Sequence, residues 1–73
     1  MSLGYTVCKM IITTLAKDFK NDCYRKLYVL GRMHEKIINE HNANKISDSE
    51  FDELNTQCEA LLVTITNYLQ EVK

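Results

Sequence analysis

The chain contains no proline and no tryptophan, and only two of its 73 residues, Gly4 and Gly31, are glycine. Proline and glycine are the residues that most often interrupt helices and form tight turns. Their scarcity favours long helices over a β fold with many turns. A chain of this length forms one small domain and buries only about 60% of the surface that its unfolded form exposes. We therefore exclude a multidomain enzyme, a dinucleotide-binding βαβ array and a transmembrane protein, and predict a single domain over residues 1–73.

The cysteines are few and odd in number, so Cys8, Cys23 and Cys58 cannot all pair within one chain. They show no CxxC pair and no Cys/His spacing typical of a zinc site. Each lies on an apolar helical face, where a free thiol behaves as a small hydrophobic side chain. We predict a cytoplasmic protein, because free thiols persist in reducing compartments. Residues 10–16 are a short apolar run without a following cleavage site, unlike a secretory leader, and residues 1–3 are interpreted as an expression-vector remnant.

The formal net charge is −1, but the two signs are unevenly distributed. Residues 1–45 hold eight Lys/Arg and four acids, whereas residues 46–73 hold one Lys and six acids. If the two parts fold against each other, we expect their opposite charges to face each other. A nucleic-acid-binding domain usually carries a clear basic excess, so the balance disfavours a nucleic-acid partner.

The clearest helix start lies at Ser47. Ser47 and Glu50 have the spacing of a capping box, in which each side chain bonds the backbone amide of the other residue. Ile46 and Phe51 occupy the two positions of a hydrophobic staple around this cap. Beyond it, apolar residues recur at spacings of three and four, which is typical of a helix-packing face: Phe51, Leu54, Cys58, Leu61, Ile65 and Tyr68. We predict a helix over residues 47–72.

The same spacing recurs upstream and predicts a middle helix over residues 22–42. Its packing face is formed by Cys23, Leu27, Leu30, His34, Ile37 and His41. We expect Asn21 or Asp22 to cap its start. Gly31 lies inside it, either because another helix approaches closely or because the position tolerates glycine. The connection over residues 42–45 is short, so the middle and last helices are expected to be antiparallel neighbours.

Residues 5–20 are predicted to form a shorter and weaker helix. Its apolar face is formed by Cys8, Ile11, Ile12, Leu15 and Phe19. The β-branched run at residues 11–14 lowers helix propensity, so we expect this helix either to pack on the other two or to become ordered only when a partner binds. The predicted fold is all-α, an antiparallel helical hairpin with a short N-terminal helix.

No group of residues typical of catalysis or metal binding is evident. His34 and His41 are seven residues apart, whereas helical metal motifs place two ligands about one turn apart. We expect His34 to be half-buried and His41 to lie near the turn. The cysteines lack the base that nucleophilic catalysis needs, and the acids cluster at a helix start, where they stabilise the helix dipole. We predict that the chain is not an enzyme and has no catalytic residue, metal site or cofactor.

Surplus apolar residues on two helices predict a partner-binding surface. The apolar face of the last helix widens toward its C-terminal end, so that it covers more than one neighbour. On the middle helix two tyrosines lie one turn apart, and tyrosine is common at protein–protein interfaces. We predict partner contacts, without membrane insertion, at Tyr24, Tyr28, Leu62, Leu69 and Val72.

Residues 49–61, with Ile65 following, resemble the second helix of the small needle-subunit co-chaperones of type III secretion systems, the YscE/PscE type. The shared pattern is an aromatic residue, a large apolar residue, a small residue and Ala-Leu, here at Phe51, Leu54, Cys58, Ala60 and Leu61. Residues 25–27 and 35–38 resemble the first hairpin helix of that family. The turn here is longer and rich in asparagine rather than glycine, and the N-terminal segment has no clear counterpart.

This resemblance implies a cytoplasmic co-chaperone that, with a TPR-like partner, keeps a secretion needle subunit unpolymerised. Residues 46–51 and 59–66 also resemble the Hha/YmoA nucleoid-associated modulators, which implies instead a co-regulator bound to an H-NS-type protein. A third alternative is a self-associating helical hairpin, with a homodimer as the form of the isolated chain. Each alternative makes the chain a binding module.

Overall fold

The computed structural model describes residues 3–72, which form three α-helices and no strand. Helix α1 spans Leu3–Lys17, α2 spans Cys23–Asn42 and α3 spans Asp48–Glu71. The all-α fold class is therefore confirmed. Two of the three residues interpreted as a vector remnant lie outside the described residues, but the third opens α1. The Cα atoms of this elongated molecule extend over 42 × 16 × 15 Å.

Helix α3 begins with the predicted capping box. The Ser47 hydroxyl accepts a hydrogen bond from the Glu50 amide at 3.1 Å, and the Ser47 amide donates to the Glu50 carboxylate at 2.9 Å. Asp48 and Glu50 also place negative charge at the positive end of the helix dipole. Ile46, just before the cap, is buried. Local interactions therefore determine where α3 starts.

The connection between α1 and α2 differs from the prediction. Helix α1 ends at Lys17, three residues earlier than expected, and a turn follows. Asp22 precedes α2 in the left-handed region, with φ 53°, and its side chain makes no cap hydrogen bond, so the predicted side-chain cap was wrong. Instead, the Lys26 ammonium reaches back and donates to the carbonyl groups of Asp18 and Asn21. A cation from the first turn of α2 thus stabilises the preceding turn.

The core lies where the three helices meet. Its side chains are at most 7% exposed: Cys8, Ile12, Cys23, Leu30, Met33, Ile37, Ile46, Leu54, Cys58, Leu61 and Ile65. Four of them follow the predicted spacing along α3. Cys8 and Ile12 belong to α1, so this helix packs on the other two. No polar or charged side chain is buried among the described residues.

Contacts between α2 and α3 join residues in opposite order along the two helices. Near the connecting turn, His41 contacts Asp48. Farther from it, the Cys58 thiol donates to the Leu30 carbonyl at 3.6 Å. Residue numbers fall along α2 as they rise along α3, so the first half of α2 lies beside the second half of α3.

Candidate interaction surface

The cysteines are part of the core. All three are free and buried. Burial raises the pKa of the Cys8 and Cys58 thiols above its ordinary range. A raised pKa lowers the fraction of thiolate, which is the nucleophilic form. Cys8 and Cys58 therefore act as hydrophobic packing groups in this fold.

The two histidines join α2 to α3. His34 is half-buried, as predicted, and its Nε2 lies 2.7 Å from Asn55 Oδ1. His41 lies in the last turn of α2, where its Nε2 is 2.7 Å from Asp48 Oδ1. Its ring stacks on Phe51 with 4.2 Å between centroids and 14° between planes. Across residues 3–72, no three His, Cys, Asp or Glu side chains are close enough together to hold a metal ion.

A polar cluster that the sequence did not reveal joins α1 to α3. The Tyr5 hydroxyl lies 3.0 and 2.9 Å from the two Glu53 carboxylate oxygens, and Lys9 Nζ lies 2.9 Å from one of them. The hydrogen bond from Lys9, assisted by that from Tyr5, lowers the pKa of Glu53. Glu53 in turn raises the pKa of Lys9. Since 48 positions separate Tyr5 from Glu53, no local sequence pattern could have signalled this contact.

The expected meeting of opposite charges between residues 1–45 and residues 46–73 occurs at α1 and α3, and not along the middle of α2. In the part of the chain that the structure describes, no Lys or Arg of α2 pairs with an acid of α3, and His41 Nε2 lies 2.7 Å from Asp48 Oδ1. The Lys9–Glu53 ion pair joins α1 to α3 instead. Arg25 forms no ion pair among the described residues, and neither does Arg32. The exposed arginines of α2 therefore take no part in the expected charge pairing, and their charge faces solvent.

The predicted partner contacts divide into exposed and half-buried residues. Tyr24 is 75% exposed, Tyr28 is 65% exposed and Val72 is 59% exposed. Leu62 and Leu69, by contrast, are half-buried and pack against the core. The core side of α3 is wide enough to include these two leucines, so only part of each is open to a partner.

All five predicted residues lie in the same half of the molecule. They lie in the first half of α2, in the second half of α3 and at its C-cap, at the end where Phe19 meets Tyr68 with 5.9 Å between ring centroids. Val63 is in this half as well and is 58% exposed. Sequence analysis missed it because it lies outside the spacing of the packing face. Val63 and Val72 are nine residues apart, which places them on opposite sides of a helix. We therefore define the candidate surface as Tyr24, Tyr28 and Val72, bordered by Leu62 and Leu69.

Within the described residues, no helix combines the length and the apolar character needed to cross a membrane. Comparison with family models, curated proteins and solved structures finds no match. The resemblances to secretion co-chaperones and to nucleoid-associated modulators therefore rest on the sequence patterns alone.

Proposed function

We propose that the chain is a small binding module built on an antiparallel hairpin of α2 and α3. In this proposal it is a cytoplasmic co-chaperone that, together with a TPR-like partner, keeps a type III secretion needle subunit unpolymerised. The observation that carries the proposal is the exposure of Tyr24, Tyr28 and Val72 in one half of the molecule. Removing apolar area from water is favourable by about 25 cal/mol per Å² before the entropic cost of association is subtracted.

The placement of reactive side chains supports binding rather than catalysis. The thiols of Cys8 and Cys58 are buried and their pKa values are raised. His34 bonds to Asn55, and Glu53 bonds to side chains of α1. These groups hold helices together, and the exposed apolar side chains are left without a role inside the molecule.

The residues that carry the secretion resemblance support a different part of the proposal. Leu54, Cys58 and Leu61 are buried, and Phe51 is half-buried. They lie on the core side of α3, so their pattern supports the hairpin. The partner is supported by the exposed side chains of the candidate surface.

Affinity capture from the native cell with the tagged chain, followed by mass spectrometry, tests this function. We expect a TPR-like protein and a small polymerising secretion subunit to elute together. Val72→Asp should lose both, because it places a charge in the candidate surface. Val7→Asp is the matched control, since it changes an exposed valine of α1 and should retain both proteins. Recovery of an H-NS-type protein, or of the bait alone, would overturn the co-chaperone proposal.

A further inference from the structure

One face of α2 carries four side chains whose aromatic and cationic groups point into solvent. Tyr28 is four residues from Tyr24, three from Arg25 and four from Arg32, so all four side chains project within about 100° around the helix. All four are exposed, and the two tyrosines are the most exposed aromatic residues of the described chain. We call these four residues the tyrosine–arginine strip.

The positive charge of this strip is not used within the fold. Arg32 contacts only Tyr28 among the hydrogen-bonding and ring contacts of residues 3–72, with 3.4 Å from Nη1 to the hydroxyl and 5.9 Å from the guanidinium carbon to the ring centroid. Arg25 has no ion-pair partner in that range. No acidic residue occurs from residue 23 to residue 34. Lys26 differs, because its ammonium is already bound to carbonyl groups of the preceding turn.

We propose that the tyrosine–arginine strip binds an acidic, partly apolar helix of a partner protein. Guanidinium groups bind carboxylates through two parallel hydrogen bonds, and tyrosine and arginine are the residues that most often dominate binding energy at interfaces. The inference depends on one part of the proposed function, namely that the chain is a binding module.

The spacing of the strip specifies the partner further. Arg25 and Arg32 are seven residues apart, which corresponds to about 10 Å along a helix. Two acidic residues at the same spacing on a helix lying alongside would face the two arginines. An apolar residue between them would lie against Tyr28, and one just outside the first acidic residue would lie near Tyr24. The matching ligand is therefore a helix with carboxylates two turns apart and a leucine-like residue between them.

A nucleic-acid strand fits the strip less well. A strand carries one phosphate about every 3.4 Å and needs a basic track that continues along it. Here Asp22 precedes the strip and Glu35 follows it. The basic stretch from residue 23 to residue 34 is only about 18 Å long. A peptide whose carboxylates end within that length avoids both acidic residues.

Titration of a synthetic helical peptide into the isotopically labelled full chain tests the proposal. The peptide carries two glutamates seven residues apart with leucine between them. We expect shifts in the NMR signals of Tyr24, Arg25, Tyr28 and Arg32, and an affinity that falls as salt rises. Arg32→Glu should weaken binding about tenfold, equal to about 1.4 kcal/mol. Lys17→Glu, which makes the same change of charge at an exposed cation outside the strip, should leave binding unchanged.

A charge exchange separates direct contact from a general effect of net charge. A peptide with lysine in place of both glutamates should bind the Arg25→Glu/Arg32→Glu variant and not the wild type. Circular dichroism of that variant should remain helical, because both arginines are exposed.

Three outcomes would overturn the proposal. The first is that the glutamate peptide does not bind. The second is that Lys17→Glu weakens peptide binding as much as Arg32→Glu does. The third is that a single-stranded oligonucleotide binds through the same arginines more tightly than the peptide. All use purified chain and synthetic ligands, so they are independent of whether affinity capture returns a TPR-like protein.

Discussion

The two glycines both lie in helices, Gly4 in the first turn of α1 and Gly31 in the middle of α2, and their surroundings differ. A Cβ atom at Gly31 would meet nothing within 4 Å, so the position tolerates glycine and no helix approaches it closely. A Cβ atom at Gly4 would lie 2.5 Å from Glu40 Oε1. The Glu40 carboxylate thus lies beside the first turn of α1, which has no acidic residue of its own. Negative charge at that end of a helix is favourable.

We expect Gly31→Ala to raise the free energy of unfolding by about 1 kcal/mol, because alanine is the better helix former and the space is open. Gly4→Ala should raise the free energy of unfolding by less than this, or lower it, since the Glu40 carboxylate must move to make room for the Cβ atom. Urea unfolding of both variants measures the difference. In a Glu40→Ala background the Gly4→Ala change should become favourable. A double-mutant cycle without coupling between residues 4 and 40 would contradict the contact.

At the scale of the helices, sequence analysis predicted those features that depend on residues close together in the chain. The start of α3 follows from Ser47 and Glu50, which are neighbours in the chain and cap the helix together. The start of α2 was predicted to within one residue, but the interactions there could not be predicted, because Asp22 adopts left-handed geometry and Lys26 stabilises the turn from within the helix. The attachment of α1 was also beyond prediction, since its polar contacts depend on how distant residues meet in space.

Glu53 should make the attachment of α1 to α3 sensitive to acid. Hydrogen bonds from Lys9 and Tyr5 lower the pKa of Glu53 in the folded state. The resulting stabilisation is present above the pKa of glutamate in the unfolded chain, and it is lost as the pH falls through the lower, folded value. Hydrogen exchange of α1 amides should therefore accelerate in acid relative to that of α2 and α3.

Glu53→Gln should remove this acid-dependent part of the protection of α1. Glu59→Gln is the matched control, because the Glu59 carboxylate accepts a bond from Asn55 of its own helix at 3.2 Å. This control should keep the wild-type pH dependence. An identical pH profile for the wild type and Glu53→Gln would show that the cluster does not hold α1.

At the scale of the whole molecule, the small core shared by three helices gives a low free energy of unfolding. The buried side chains are few, and a small domain is stable by only about 5 kcal/mol. We expect Leu61→Asp to unfold the chain, because residue 61 is 7% exposed and the charge would be buried without a partner. Loss of the helical circular-dichroism signal is the measurement.

Val63→Asp is the control for that substitution. Residue 63 is on the same helix, two positions away, but is 58% exposed. This variant should remain helical. Retention of the full helical signal by Leu61→Asp would mean that the side of α3 facing the core has been misassigned.

The sequence separation of contacting residues predicts the order in which the helices associate during folding. His41 and Asp48 are seven residues apart, whereas Tyr5 and Glu53 are 48 apart. Closing the longer loop costs about 2 kcal/mol more chain entropy than closing the shorter one. We therefore expect α2 and α3 to associate early and form the folding nucleus. Helix α1 then docks late, and its release is the first step of unfolding.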